Sequence, residues 1–267
     1  MHIEDHRLMD ANAASAPSPN QGGPIAPEYL VIHYTAGAST QGSVAHFLDV
    51  QAKASAHLVI GRDGSITQLV PFNRQAWHAG VSTWAGRSGV NNFSIGIELD
   101  NAGKLVKAGD AYQAWFGKRY PGSEVIQARH KNEQQDAYWQ VYTEPQISTL
   151  IEVARVLMQG YGLKDVIGHE DIAPGRKTDP GPAFPMQSFK AFVMGRQDCD
   201  APLCKVSVQL LNIRSGPGSQ FETVAPALTL GTPLRLLEMR DLWANVALAD
   251  GSGVQGWVRN TFIAGGA

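Results

Sequence analysis

The sequence predicts an α/β protein, a mixed central sheet flanked by helices, followed by a second, smaller all-β unit. Three observations predict it. Apolar runs of strand type recur at LVIHYTAG (30–37), AHLVI (56–60), NFSIGIELD (92–100) and LKDVIGH (163–169). Helical patterns fall between them, at QGSVAHFLDV (41–50) and TEPQISTLIEVARVLMQGYG (143–162). From about residue 196 the texture changes to short alternating segments separated by Gly, Pro, Asp and Ser, the pattern of a small barrel or sandwich.

Taken in order, residues 1–28 are rich in Ala, Ser, Pro and Gly and read as an irregular arm. LVIHYTAG is a buried strand that ends at the turn-prone Ala36 and Gly37. AHLVIGRDGSITQLV (56–70) reads as a hairpin turning at Arg62, Asp63 and Gly64. In the strand at 92–100 the period of two sends Ile95, Ile97 and Leu99 to one side and Ser94, Gly96 and Glu98 to the other. Residues 101–142 read as mixed irregular structure. The long helix starts in a capping box of Thr143 and Gln146, carries Pro145 in its first turn and ends at Gly160 or Gly162. Ile147, Leu150, Ile151, Ala154, Leu157 and Met158 form its apolar stripe.

Length and composition bound the rest. A chain of 267 residues with 43% hydrophobic and 17% charged residues can bury a sizeable core. A net charge of -2 with no basic run offers no argument for nucleic acid, and no apolar stretch approaches a membrane span. The N-terminus has acidic residues where a signal peptide has basic ones, so signal-directed export is not expected. Cys199 and Cys204 frame a loop too short for closure to stabilise much, and a disulfide and two free thiols fit equally.

GHEDIAPGRKTDPGPAF (168–184) concentrates the chemistry. Pro174, Pro180 and Pro182 give it a defined course, and an extended 177–179 puts Lys177 and Asp179 on one face. His33 and His169 each stand where an apolar strand ends, the position at which ligands collect in open α/β sheets. Two histidines with Asp179 are a set of the type that holds catalytic zinc while leaving a position for water. Such a metal acidifies water and polarises a carbonyl; Glu98 then suits proton acceptance and Lys177 the stabilisation of an oxyanion.

These segments resemble the type-2 family of zinc-dependent N-acetylmuramoyl-L-alanine amidases, related to the peptidoglycan recognition proteins. The resemblance rests on LVIHYTAG, SAHLVIGRDGSITQLVPFNRQAWHAGVS (55–82), NNFSIGIELDN (91–101) and GHEDIAPGRKTDPGPAF, in that order. It implies Zn2+ bound by His33, His169 and Asp179, with Glu98 as general base and Lys177 stabilising the transition state. Some relatives carry a tyrosine where this chain has Ala56, and others a cysteine as third ligand where it has Asp179. The reaction implied is hydrolysis of the amide between N-acetylmuramic acid and L-alanine, in peptidoglycan or in muropeptides. Trp77, His78 and Trp84 then suit the lining of a groove for sugar and peptide, and Arg87 or Arg176 pairing with a stem-peptide carboxylate. His57 is assigned a structural place or one supporting the ligands, rather than a ligand's, and His46 and His130 no special role. LNIRSGPG (211–218) with GWVRNTFI (256–263) resembles the bacterial SH3-like domains that accompany wall hydrolases.

The organisation expected is therefore an arm at 1–28, a catalytic domain at 29–195, a linker at 196–204 and an SH3-like domain at 205–267, acting at the bacterial envelope or in cytoplasmic recycling. Two rivals remain. A recognition domain that keeps the groove without hydrolysis usually lacks a zinc ligand, and a zinc hydrolase of another bond, such as a sugar N-acetyl group, would use the same ligand types.

Overall fold

The computed structural model describes residues 1–194, 203–250 and 252–264. The chain divides into two compact units, Met1–Met186 and Gln187–Ala267.

The first unit is built on a six-stranded mixed sheet of β1 (Ala13–Ser15), β2 (Tyr29–Tyr34), β3 (Leu58–Ile60), β4 (Ile66–Gln68), β5 (Ser94–Leu99) and β6 (Asp165–Gly168), in the order β6-β2-β5-β3-β4-β1. The edge strand β6 and its successive neighbours β2 and β5 are parallel, with Gly168 beside Ile32 and Glu98 beside His33. Every residue of β5 is buried, as a central strand covered on both faces must be. The predicted hairpin is β3–β4, turning through 61–65, where Gly64 takes φ +84°. Helix α1 (Thr40–Leu48) starts at Ser39, whose side chain accepts the Gly42 N–H at 3.1 Å.

Helix α2 (Glu144–Tyr161) has the Thr143–Gln146 capping box and ends at Gly162 in the left-handed region. Its buried stripe is Gln146, Leu150, Val153, Ala154 and Leu157, rotated from the sequence expectation, which had included the half-buried Ile147, Ile151 and Met158. The cause is Gln146: its amide donates to Ile60 O and Asp100 O at 3.4 and 2.9 Å, docking the first turn on the sheet by hydrogen bonds rather than by apolar area.

Two segments read as irregular are ordered. In residues 1–28, His2–Glu4 and Arg7–Met9 form a hairpin, β1 extends the central sheet, and Gln21–Pro24 pairs with Arg74–Ala76. Of these, only Ala13–Ser15 adds to an edge of the central sheet; the other strands pair two by two, and pieces of three or four residues are too short to show hydrophobic alternation. Buried Ser18 and Asn20 fix the path by donating to Phe47 O. Residues 104–140 form a five-stranded antiparallel sheet in the order Arg119–Tyr120, Ala111–Gln113, Lys104–Ala108, Asp136–Gln140, Val125–Arg129. Its strands are two to five residues long, and its turns use Gly109 and Gly117 at positive φ. Such short elements leave little periodicity to read. From this sheet, Trp115 donates its indole N–H to Ala36 O at 2.9 Å, so the hairpin tip meets the loop that follows β2.

The second unit contains an antiparallel sheet in the order Gln255–Arg259, Trp243–Leu248, Pro233–Arg240, Leu203–Val206, Ile263–Ala264. Its core includes Val206, Leu211, Ile213, Leu234, Val246 and Val258. Cys204 is buried within that core, whereas Cys199 and most of the expected linker lie outside the described residues. Among the described residues, no helix is long and apolar enough to cross a membrane.

Candidate functional site

The parallel register of the central strands creates the site. Residues opposite one another on neighbouring strands face the same way, so His33 on β2 and Glu98 on β5 point to one side. β6 ends one residue before His169, which opens the short helix α3 (His169–Ile172). The loop after α3 returns Asp179 to the same place. His33 Nδ1, His169 Nδ1 and Asp179 Oδ2 lie 2.9 Å from one another, and all three residues are buried.

Hydrogen bonding on the far side of each ring decides what those atoms offer. His169 Nε2 lies 3.1 Å from Ala79 O, and a carbonyl only accepts, so Nε2 carries the proton and Nδ1 of the neutral ring is a lone pair. The Ser94 hydroxyl donates to Val90 O at 2.7 Å and therefore accepts from His78 Nε2 at 3.2 Å. His78 Nδ1 is then an acceptor, for which His33 Nε2 is the donor at 2.9 Å. His33 Nδ1 is left as a second lone pair. Burial, then repulsion from His169, pushes His33 down to about 4. Two neutral imidazole lone pairs and a carboxylate converging at this distance repel one another unless a cation lies among them, so the donor set fits a metal ion.

Glu98 stands beside this set without belonging to it. Its Oε2 is buried and has no hydrogen-bond partner among the described residues. Burial raises its carboxyl to about 8, Asp179 adds to the rise, and Lys177 opposes it. The Lys177 charge also acts on His33, so the ammonium lies within electrostatic reach of both groups.

That displacement has a measurable consequence. A group whose folded pKa lies above its unfolded value near 4.5 contributes stability at low pH that is lost as pH rises towards 8. The buried His33 and His57, both lowered to about 4, act in the opposite sense, but only below the ordinary histidine value of 6.5. Between pH 6.5 and 8 the Glu98 contribution stands clear, so metal-free protein should lose stability there at up to about 1.4 kcal/mol per pH unit. Glu98→Gln should flatten the slope; equal urea midpoints for the two proteins across that window would refute the assignment.

The remaining predicted residues separate into groups. His78 does not line a groove: it is buried under His33, its ring filling the space above Gly96, where an added Cβ would meet His78 Cγ at 2.3 Å. The glycine that clears the Glu98 face does so for this ring. Gly96→Ala should therefore cost about 1–3 kcal/mol by overpacking, read from the denaturation midpoint. Trp84 is half-buried and packs with Tyr29 against the Val31, Ala79 and Phe93 cluster. Arg87 is exposed, pairs with Glu28 at 2.7 Å and stacks on the Phe93 ring. Arg176 donates to Ala79 O and Val81 O at 3.0 and 2.6 Å, so it braces the loop after Trp77, which is half-buried. His57 is buried, with Nε2 at Arg74 O and Nδ1 accepting the Gly96 N–H. His130, given no role from sequence, is buried against Glu170 at 2.6 Å. No local signal marks that pair, since 40 residues separate its members.

Two histidines and an aspartate that could hold a metal ion, at the carboxyl ends of parallel strands and flanked by a buried carboxylate and a nearby lysine, have the composition of a metallohydrolase centre. The chain belongs to the N-acetylmuramoyl-L-alanine amidase family, whose model matches residues 21–182. It is similar to the 1,6-anhydro-N-acetylmuramyl-L-alanine amidase AmpD of Escherichia coli (strain K12), 39% identical over 143 residues, 53% of this chain and 59% of that protein. It is also similar to the N-acetylmuramoyl-L-alanine amidase AmiD of the same strain, 38% identical over 170 residues, 60% of this chain and 51% of the relative. The chain thus spans little more than half the length of these curated relatives. Among solved structures, a selenomethionine derivative of AmpD superposes with a TM-score of 0.50 at 30% identity, covering 72% of this chain and 99% of the other.

Proposed function

We propose that this chain is a zinc-dependent amidase that hydrolyses the bond between N-acetylmuramic acid and L-alanine in peptidoglycan or its muropeptide fragments. The observation that carries the reading is the convergence of three ligand-type atoms beside a buried Glu98 oxygen that has no hydrogen-bond partner among the described residues. His33, His169 and Asp179 would hold the zinc, which when bound polarises the scissile carbonyl and acidifies water. Glu98 takes the proton from the attacking water and returns it to the departing L-alanine nitrogen. The Lys177 ammonium offsets the negative charge that develops on the carbonyl oxygen. A cation held by the triad would lower the Glu98 pKa, as Lys177 already does, and so keep a base available near neutral pH.

The anhydro sugar in the name of AmpD motivates released fragments as one substrate form, and intact wall is the other. The domains read from sequence, catalytic at 29–195 and SH3-like at 205–267 with a linker at 196–204, enter the same proposal, the small domain serving to hold wall peptides. The five-stranded antiparallel sheet around a single apolar core supports the barrel reading.

Mass spectrometry of a muropeptide digest and of intact wall tests the reading. Metal-dependent release of a free stem peptide beginning at L-alanine is expected, and chelation should abolish it. If zinc binds and no stem peptide appears from either substrate, the amidase assignment fails.

A further inference from the structure

We propose that Glu170, held by His130, is a positioning residue for the metal ligands, tying the turn that carries His169 to the segment that carries Asp179. The inference rests on the metal-site reading and goes beyond it, because Glu170 is not a ligand of the His33, His169 and Asp179 set.

Glu170 directly follows His169 and is only 6% exposed. Its Oε2 accepts from His130 Nε2 at 2.6 Å and from the Gly181 N–H at 3.2 Å, while Oε1 pairs with Lys131 Nζ at 2.8 Å. Its backbone N–H donates to Asp179 O at 2.8 Å. One residue therefore grips the ligand segment on both sides of Pro180, through its main chain at Asp179 and its side chain at Gly181. His130 is 1% exposed, and its Nδ1 accepts from Asn132 N at 3.1 Å, which leaves Nε2 as the donor of the neutral ring. Asn132 Nδ2 closes the loop by donating to Glu170 O at 3.1 Å.

The second sheet backs this arrangement. The His130 ring stacks on Trp139, with centroids 5.8 Å apart, and a Cβ on Gly181 would lie 3.1 Å from the Trp139 ring. A carboxylate is costly to bury unless its oxygens are satisfied, and here its partners lie on the metal-ligand loop, at Gly181, or in the turn at 130–131 that joins two strands of the second sheet. The imidazoles of His33 and His169 are oriented from elsewhere, by His78 and Ala79. The Glu170 carboxylate bonds both to the turn at 130–131, between two strands of the second sheet, and to the backbone just beyond Asp179, where the Tyr142 hydroxyl also donates to Pro180 O at 2.7 Å, so losing the carboxylate should loosen the third ligand.

Zinc affinity by chelator competition and the visible spectrum of the cobalt(II) form test this on the full chain. Glu170→Ala should weaken zinc about ten- to a hundred-fold and displace the cobalt bands. Glu170→Gln keeps an acceptor for His130 and Gly181 and turns its amide towards half-exposed Lys131, which retains Asp171 at 2.6 Å; affinity and spectrum should return to those of the unmodified protein. Lys131→Ala should change neither. Unaltered affinity and bands in Glu170→Ala would overturn the proposal, as would a Gln variant as impaired as the Ala variant. If Glu170→Ala does not fold, His130→Ala decides by the same readouts: displaced bands support the proposal and unchanged bands overturn it. Failure of the unmodified chain to bind either metal would instead bring down the metal-site reading itself.

Discussion

Glu98→Gln is expected to lower kcat by roughly 10²–10⁴-fold, the range that a positioned general base supplies, while leaving zinc bound. The side chain is buried and the amide matches it in size, so the packing of β5 stays as it is. Glutamine cannot take a proton from water at neutral pH, and that is the property the step requires. Glu98 lies outside the triad, so zinc affinity by chelator competition should stay within a few-fold of the original. Turnover of a muropeptide within ten-fold of the original, at full zinc occupancy, would remove Glu98 from the mechanism and leave the partnerless oxygen unexplained.

The second large effect is loss of a ligand. His169→Ala and Asp179→Ala should each abolish measurable hydrolysis and weaken zinc by more than the ten- to hundred-fold that an outer partner costs. The thermal response separates this from simple damage to the fold. Ligand at a hundred times its Kd stabilises a protein by about 2.7 kcal/mol, so zinc should raise the melting temperature of the unmodified chain and do so far less for either variant. Comparing the metal-free variants with the metal-free parent isolates the change in the apoprotein. There, Asp179→Ala relieves the crowding of two lone pairs against a carboxylate, so the stability lost should be small beside the loss of metal response. Equal zinc-induced shifts in variant and parent would disprove the triad.

Much of the site was legible because each of its residues sits at a recognisable local event. His33 and His169 lie at the ends of apolar strands, Glu98 falls on a strand face of small residues, and Asp179 stands in a proline-set loop. The long helix was legible from its cap and period, although Gln146 turned its buried face by docking through hydrogen bonds that no hydrophobic pattern encodes. The N-terminal strands and the sheet at 104–140 were illegible for a related reason. Strands of a few residues are stabilised by the edges and turns they meet, and a local window contains neither.

The sequence by itself determined which residues can ligate, accept a proton or carry positive charge, and that apolar strands end at two of them. Only the tertiary structure decided their roles relative to one another. It put His78 beneath His33 rather than in a groove, turned Arg87 and Arg176 to bracing, and buried His130 against Glu170. The physical reason is that a side chain's type is local, whereas a tautomer, a buried charge or a hydrogen-bond partner depends on atoms brought from distant parts of the chain.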